Sequence, residues 1–250
     1  MRANVTFDSA GRRIAGHLYT PDDGAAGPRP AIVVGGPGSS VKEQAAGLYA
    51  RHTATATDHR IKAVATVSAV DIARQFRYGA DGAQDPGVFH GMLDAAGAAR
   101  TAEARGEGVQ TFPLFPATAE EARGRGQHTF EGFEYYCTPR AQHPPSAKSL
   151  TWTSVDRMAF FDAFRAVGLI RRPLLMNVGR EAVTAWMSVE AFQAAQCPKE
   201  LHWIDGASHN DLYDKEQYVG PTVAKLTEFF TASLTERSRR DAAERQGRRR

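Results

Sequence analysis

The strongest constraint on the fold comes from two segments near the C-terminus, each of which predicts a strand followed by a polar turn. Residues 173–178 form a mostly apolar run that leads into Gly-Arg-Glu181, and residues 200–204 lead into Asp-Gly-Ala-Ser-His209. Short apolar runs of this kind are typical of strands in a parallel sheet that is covered on both faces. The carboxyl ends of parallel strands meet at one edge of the sheet, so we expect Glu181 and His209 to lie close together.

A carboxylate that precedes a histidine by 28 positions matches the last two members of a nucleophile–acid–base order along a chain. A carboxylate that accepts a hydrogen bond from an imidazole fixes its tautomer and stabilises the imidazolium. We therefore take His209 as the candidate base and Glu181 as the candidate acid. The alternatives are a structural histidine in a polar loop and a surface charge. Asp205 is expected to shape the turn, and Asp211 and Asp214 to be loop and helix-cap residues.

The nucleophile of such a triad has no evident counterpart in the sequence. It would stand on a strained strand–turn–helix with flanking glycines, and neither G-x-S-x-G nor G-x-C-x-G occurs. Cys137 lies in the aromatic part of the cap-like region, and Cys197 precedes Pro198 before a strand, so neither cysteine stands on such a turn. Ser68 ends a predicted strand at 61–68, but it lacks the flanking glycines and a helix N-terminus close behind it, so it does not match such a turn.

A glycine-rich loop follows the apolar run 31–35. Gly36, Gly38 and Ser39 could present backbone N–H groups to an oxyanion, although a Gly-Pro-Gly turn before a helix needs no catalytic explanation. The loop matches neither the phosphate-binding pattern nor the dinucleotide-binding pattern. Two widely spaced cysteines form no zinc motif. The sequence therefore predicts no cofactor and no metal.

The remaining pattern alternates strands with helices, which favours an α/β fold with a mostly parallel sheet. Residues 70–155 are rich in helix-forming and aromatic residues without clear strand alternation, and they predict a helical cap-like insertion. We expect one domain over residues 1–235 and a basic tail over 236–250. The other predicted elements are an N-terminal hairpin (3–8 with 13–20), strands 31–35 and 61–68, and helices 41–57, 154–168 with Ser154 as N-cap, 188–196 and 218–234.

Charge and hydropathy exclude several classes of function. The net charge of +3 belongs to the tail, where 7 arginines face 3 acidic residues, so no nucleic-acid partner is expected. No apolar run reaches the roughly 18 residues that a membrane helix needs, and the N-terminus lacks the apolar core of a signal peptide. Two widely spaced cysteines form no disulfide framework and fit a reduced, cytoplasmic setting. The expected partner is a small molecule, with a homo-oligomer as a further possibility.

The chain resembles bacterial α/β-hydrolases of the dienelactone-hydrolase and acetyl-xylan-esterase-like type. The resemblance rests on the order of five segments, which are V5-TFDSAGRRIAGHLYTP, A31-IVVGGPGSSVKEQAAGLYA, R60-IKAVATVSAVDIARQFR, R172-PLLMNVGREAVTAWMS and L201-HWIDGASHNDLYD. It implies a reduced α/β-hydrolase sheet and hydrolysis of small-molecule ester or acyl bonds. Cap aromatics Phe130, Phe133, Tyr135 and Tyr136 would then line an apolar pocket.

Three departures from that family bear on activity. About 70 residues that would carry the nucleophile elbow are absent around His52 to Thr57. The family's His-Pro-Gly loop reads Gly36-Pro37-Gly38, and the family's aspartate near Val183 has no counterpart except Glu181. Because covalent acyl transfer needs an attacking group, a non-catalytic ligand-binding remnant or an internally deleted pseudoenzyme is the alternative to an esterase-like hydrolase.

Overall fold

A computed structural model of the protein describes residues 2–9, 11–20, 31–34 and 61–247. The predicted N-terminal hairpin is present: β1 (Arg2–Ser9) pairs antiparallel with β2 (Arg12–Tyr19). Side chains of alternate residues point to the same face, and the register places Phe7 opposite Ile14 and Ala3 opposite Leu18. One face of the hairpin is therefore apolar.

The central sheet has three parallel strands in the order β3–β6–β7, which are β3 (Val64–Val67), β6 (Leu174–Gly179) and β7 (Lys199–Ile204). Strand β6 pairs on both sides, and all six of its residues are buried. This is the arrangement that its apolar sequence predicts. The sheet confirms the predicted α/β class and brings the carboxyl ends of β6 and β7 together.

Residues 70–155 fold mainly into helices, as predicted. They are α1 (Ile72–Tyr78), α2 (Pro86–Ala104), α3 (Ala119–Gly124) and α4 (Gln127–Cys137). The prediction missed a short antiparallel pair, β4 (Thr111–Pro113) with β5 (Ser149–Thr151). Three residues are too few to show alternation in a sequence. The pair is supported by packing of Phe112 on Trp152, with ring centroids 4.5 Å apart.

The C-terminal helices differ in extent from those expected. Helix α5 (Ser154–Phe160) ends early, and the predicted N-cap Ser154 instead donates its hydroxyl to the carbonyl of Thr151, 2.6 Å away. Helix α6 (Ala185–Ala194) follows β6, and α7 (Glu216–Gly247) extends beyond the predicted end at residue 234. No helix in the described ranges is long and apolar enough to cross a membrane.

The predicted buried strand at 31–35 is not found over its described residues. Residues 31–34 belong to no strand, and the side chains of Ile32, Val33 and Val34 are more than half exposed. A buried strand needs paired neighbours and covered faces, and no described strand pairs with this segment. Gly35, the glycine-rich loop and the predicted helix 41–57 lie outside the described residues.

The buried carboxylate of Asp71 connects the sheet to its surroundings. Asp71, fully buried, caps α1 by accepting hydrogen bonds from the N–H groups of Ala73 (2.8 Å) and Arg74 (3.1 Å), and it also accepts from Ala163 (2.6 Å). A carboxylate with three N–H partners ties the exit of β3 to the segment before β6. The sheet therefore presents a fixed carboxyl edge.

Candidate active site

The loop after β7 lies directly against the end of β6. Gly179 makes this approach possible, since a Cβ there would lie 2.3 Å from the carbonyl oxygen of Ala207 and 2.8 Å from that of Ser208. The N–H of Glu181 donates to the Ala207 carbonyl at 3.0 Å. The loop is thus held by backbone contacts, and it carries His209 at the carboxyl edge of the sheet, where the sequence predicts it.

Both ring nitrogens of His209 contact hydroxyl groups. The Oγ1 atom of Thr184 lies 2.7 Å from Nδ1, and the phenol oxygen of Tyr213 lies 2.7 Å from Nε2. A phenol is a better hydrogen-bond donor than an aliphatic hydroxyl because it is the stronger acid. We therefore assign the phenol O–H of Tyr213 as the donor to Nε2, and the N–H at Nδ1 as the donor to the hydroxyl of Thr184.

The imidazole of His209 is held in its neutral form. The residue is buried, and this burial, reinforced by the neighbouring His128, keeps its pKa well below the ordinary value of 6.5. The rings of His128 and His209 meet edge to face with centroids 5.0 Å apart. Burial likewise lowers the pKa of His128 from 6.5 to about 4. At neutral pH both rings are uncharged, so His209 is available as a proton acceptor.

His128 links this pair to a cavity of about 680 Å³. The Nδ1 atom of His128 is buried and has no hydrogen-bond partner among the residues that the structure describes, which leaves one polar atom for a ligand or water. The lining has seven polar side chains, six apolar ones and two glycines. It comprises Gln75, Phe76, Gly79, Ala80, Asp81, Gln84, Met92, Leu114, Pro116, Arg125, Gly126, Gln127, His128, Thr129 and Val183.

The aromatic residues that were expected to line a pocket do not line this cavity. None of Phe130, Phe133, Tyr135 and Tyr136 is among the residues that line this cavity. Tyr135 and Tyr136 are buried, and Tyr135 packs on Tyr213 with ring centroids 5.1 Å apart. Their burial in the protein's own packing is the reason for the difference. Tyr135 supports the phenol that contacts His209.

Glu181 is not brought to the imidazole. Its side chain is exposed, while the buried Thr184, three residues later, occupies the Nδ1 side of His209. The chain turns after Gly179, so the residue at the start of the turn faces outward and the residue before α6 faces the histidine. Asp205 is paired with Arg180, as expected of a residue that shapes the turn.

Ser68 has an unusual backbone and contacts the main chain of His209. With φ at +48°, it is the one non-glycine residue in the left-handed region among the residues that the structure describes. Its hydroxyl donates to the main-chain carbonyl of His209 at 3.1 Å, and its N–H donates to Asn177 at 2.9 Å. Ser68 therefore fastens the His209 loop to β3, although a helix does begin soon after it, at Ile72.

Charged groups fix the turn that carries Tyr213. Arg140 donates from Nε and Nη2 to the two carboxylate oxygens of Asp214, at 2.8 and 2.6 Å, and from Nη2 to the carbonyl of Asn210 at 3.3 Å. Burial works to raise the pKa of Asp211, but the Lys215 ammonium and the Ser208 N–H outweigh it and hold that pKa below its usual range. Asp211 and Asp214 are structural here, in agreement with their predicted roles.

The remaining predicted groups fall elsewhere. Gly36, Gly38 and Ser39, the proposed oxyanion loop, lie outside the described residues. Among the described residues up to 234, no three His, Cys, Asp or Glu side chains are placed to hold a metal ion. Thr184, Tyr213 and His128 were not predicted from the sequence. The four-residue spacing between His209 and Tyr213 was the one signal that could have indicated one of them, Tyr213.

Comparison with known proteins gives two curated relatives, and no family model matches the chain. The uncharacterized protein YcjY of Escherichia coli is 32% identical over 189 residues, which cover 74% of this chain and 61% of YcjY. The uncharacterized protein PA2218 of Pseudomonas aeruginosa is 27% identical over 284 residues, covering 84% of this chain and 76% of PA2218. This chain therefore spans less than two thirds of YcjY. The PA2218 alignment is longer than this chain of 250 residues because it includes gaps.

Solved structures identify the architecture. The crystal structure of PA2218 superposes with a TM-score of 0.82 at 24% identity, over 93% of this chain and 94% of that one. The α/β hydrolase GrgF of Penicillium sp. sh18 superposes with a TM-score of 0.51 at 15% identity, over 74% of this chain and 60% of GrgF. The chain has an α/β-hydrolase fold. In that fold His209 stands after a parallel strand at the carboxyl edge of the sheet, where sites of open α/β sheets gather.

Proposed function

We propose that the protein binds small molecules bearing an ester or related acyl bond in the cavity beside His128, and that His209 acts on them as a neutral base. The observation that carries the proposal is the position of His209, buried at the carboxyl edge of an α/β-hydrolase sheet with both nitrogens bound to hydroxyls. A neutral, oriented imidazole is the usual general base of acyl hydrolysis.

The fold supports the reaction class, and the cavity supports the size of the ligand. A volume of about 680 Å³ lies within the range of small-molecule sites. Apolar residues such as Phe76, Met92 and Leu114 would contact the body of the ligand. The unpartnered Nδ1 of His128 would bind a polar atom of it.

Thr184 limits the power of this base. A triad carboxylate both orients the imidazole and stabilises its protonated form, whereas a threonine hydroxyl can only orient it. We therefore expect turnover far below that of a complete triad. The same observation favours the second candidate, a ligand-binding protein of α/β-hydrolase fold that does not turn its ligand over.

Binding is tested with a ligand that cannot be hydrolysed. We expect phenylacetone, a ketone analogue of a simple aryl-containing ester, to bind in calorimetry, and Val183→Trp to abolish the binding by filling the cavity. Val88 is also exposed but lies on α2 away from the lining, so Val88→Trp is the matched control and should bind as the unmodified protein does. Equal binding by both variants would exclude this cavity as the site.

Turnover separates the two candidates. If the ketone binds and the protein hydrolyses p-nitrophenyl acetate faster than buffer does, the result supports the hydrolase. If the ketone binds but no hydrolysis is measured, the result supports the ligand-binding protein.

A further inference from the structure

Tyr213 occupies the place that an attacking group takes in a hydrolytic triad. Its phenol oxygen is 2.7 Å from Nε2 of His209, and the opposite ring nitrogen is 2.7 Å from Thr184. A hydroxyl, a base and a third group that orients the base, all within hydrogen-bond reach, is the arrangement that activates a nucleophile. Tyrosine is among the residues that form covalent intermediates in this way.

We propose that Tyr213 is the acyl acceptor of this site, and that its substrates are acyl donors with a good leaving group, namely thioesters and aryl esters. The inference rests on the proposed function and deepens it by naming the attacking group and the substrate class.

The step balances as an ordinary acyl transfer. Nε2 of His209 takes the phenol proton as the phenol oxygen forms a bond to the carbonyl carbon of the substrate. The bond from that carbon to the thiolate or aryloxide then breaks, and the proton passes from His209 to the leaving group. Water next attacks the acyl-tyrosine, His209 removes a proton from it, and that proton returns to the phenolate of Tyr213 as the carboxylic acid departs.

The acidity of the phenol decides the substrate class. A tyrosine phenol has a pKa of about 10 and a thiol one of about 8.5. An acyl group therefore passes readily to the phenolate from a thiolate or from a more acidic phenol. An alkoxide is a far stronger base than a phenolate and therefore a poorer leaving group. Alkyl esters would not transfer their acyl group to Tyr213. The acyl-tyrosine is itself an aryl ester and is readily hydrolysed.

The surroundings of Tyr213 agree with this role. His209 is buried, whereas Tyr213 is only partly buried. Tyr135 packs against the Tyr213 ring at 5.1 Å, and Arg140 braces the same turn through Asp214. Ser68 also lies beside the His209 loop, where its hydroxyl donates to the main-chain carbonyl of His209.

The experiment is acyl trapping with p-nitrophenyl acetate and with the acetyl thioester of N-acetylcysteamine. The protein is quenched in acid within seconds, weighed intact, digested and mapped by mass spectrometry. We expect one acetyl group on Tyr213, its loss in Tyr213→Phe, and at least tenfold less of it in His209→Gln. Ethyl acetate should give no adduct.

Tyr218→Phe is the matched control, because its phenol donates to the carbonyl of Gly206 at 2.8 Å without a contact to His209, and it should be acetylated at Tyr213 as usual. An adduct on a serine, or aryl-ester hydrolysis that survives in Tyr213→Phe, would overturn the inference while leaving the proposed function standing. Failure of the ketone analogue to bind would instead remove the proposed function. Mapping of the unmodified protein decides the matter even if Tyr213→Phe does not fold.

Discussion

The hydroxyl of Thr184 lies 2.7 Å from Nδ1 of His209, at the position that a carboxylate holds in a complete hydrolase triad. The substitution Thr184→Asp should therefore raise the pKa of His209, because an adjacent negative charge favours the imidazolium. Titration of the imidazole C–H signals by NMR measures this directly. In the unmodified protein we expect burial to keep the pKa of His209 well below its ordinary value of 6.5.

Thr184→Val serves as the control of similar shape. It should leave the pKa of His209 low and cost about 1–3 kcal/mol in the free energy of unfolding, since a buried ring nitrogen loses its partner. If Thr184→Asp left the titration of His209 unchanged, the contact would not govern the charge of the ring.

The contact between Gly179 and the His209 loop predicts a large effect of a single methyl group. A Cβ at residue 179 would lie 2.3 Å from the Ala207 carbonyl oxygen, and backbone cannot give way as a side chain can. Gly179→Ala should lower the free energy of unfolding by about 2 kcal/mol or more in urea titrations. The control is Gly91→Ala on α2, where nothing lies within 4 Å and a small gain of up to about 1 kcal/mol is expected. Similar effects at both positions would contradict the close approach.

The buried cap Asp71 should matter more than an exposed one. Its carboxylate accepts from three N–H groups, including that of Ala163, 92 positions away. Asp71→Ala should cost about 3 kcal/mol or more, because three donors lose a charged acceptor in the interior. Asp85 caps α2 through one contact at 2.7 Å to Gly87, so Asp85→Ala should cost only about 1 kcal/mol. Equal losses in thermal unfolding would show that the long-range contact adds nothing.

The buried histidines make stability depend on pH. Because the folded pKa of His128 is about 4 and its ordinary value is 6.5, the unfolded chain binds more protons between those limits. Stability should be highest above pH 6.5 and fall as the pH is lowered towards 4, by about 3 kcal/mol from His128 alone, and His209 acts in the same direction.

Urea unfolding at pH 7.5, 5.5 and 4.5 checks this dependence. His128→Phe should flatten it, whereas His90→Gln at an exposed position should follow the unmodified protein. A slope unchanged in His128→Phe would mean that His128 does not carry the effect.

The sequence predicted the sheet better than it predicted the site. Strand β6 was evident because its largely apolar sequence suits burial on both faces, and the turn after β7 placed His209 correctly. Thr184 carried no comparable signal, since which residue of a short turn faces the imidazole depends on backbone geometry near Gly179. A carboxylate in the sequence drew attention to Glu181, but charge alone does not fix where a side chain points.

Tyr213 was not predicted because it lacks the sequence signal of a hydrolase nucleophile, which is a glycine-flanked serine or cysteine on a strand–turn–helix. Tyr213 belongs instead to a single helical turn, Asn210–Tyr213. Residues four apart on such a turn can meet, as His209 and Tyr213 do. The exposed run at 31–34 shows the opposite error, in which an apolar pattern was taken as proof of burial.

The central claim is that His209 acts as a base on small acyl compounds, and the most direct test compares hydrolysis of p-nitrophenyl acetate by the unmodified protein and by His209→Gln at pH 7.5. Near-ultraviolet circular dichroism first establishes that both are folded. Our account predicts at least a tenfold fall in the catalysed rate, which is below the usual contribution of a general base because Thr184 stands in place of the triad carboxylate. Equal rates in two folded proteins would contradict it.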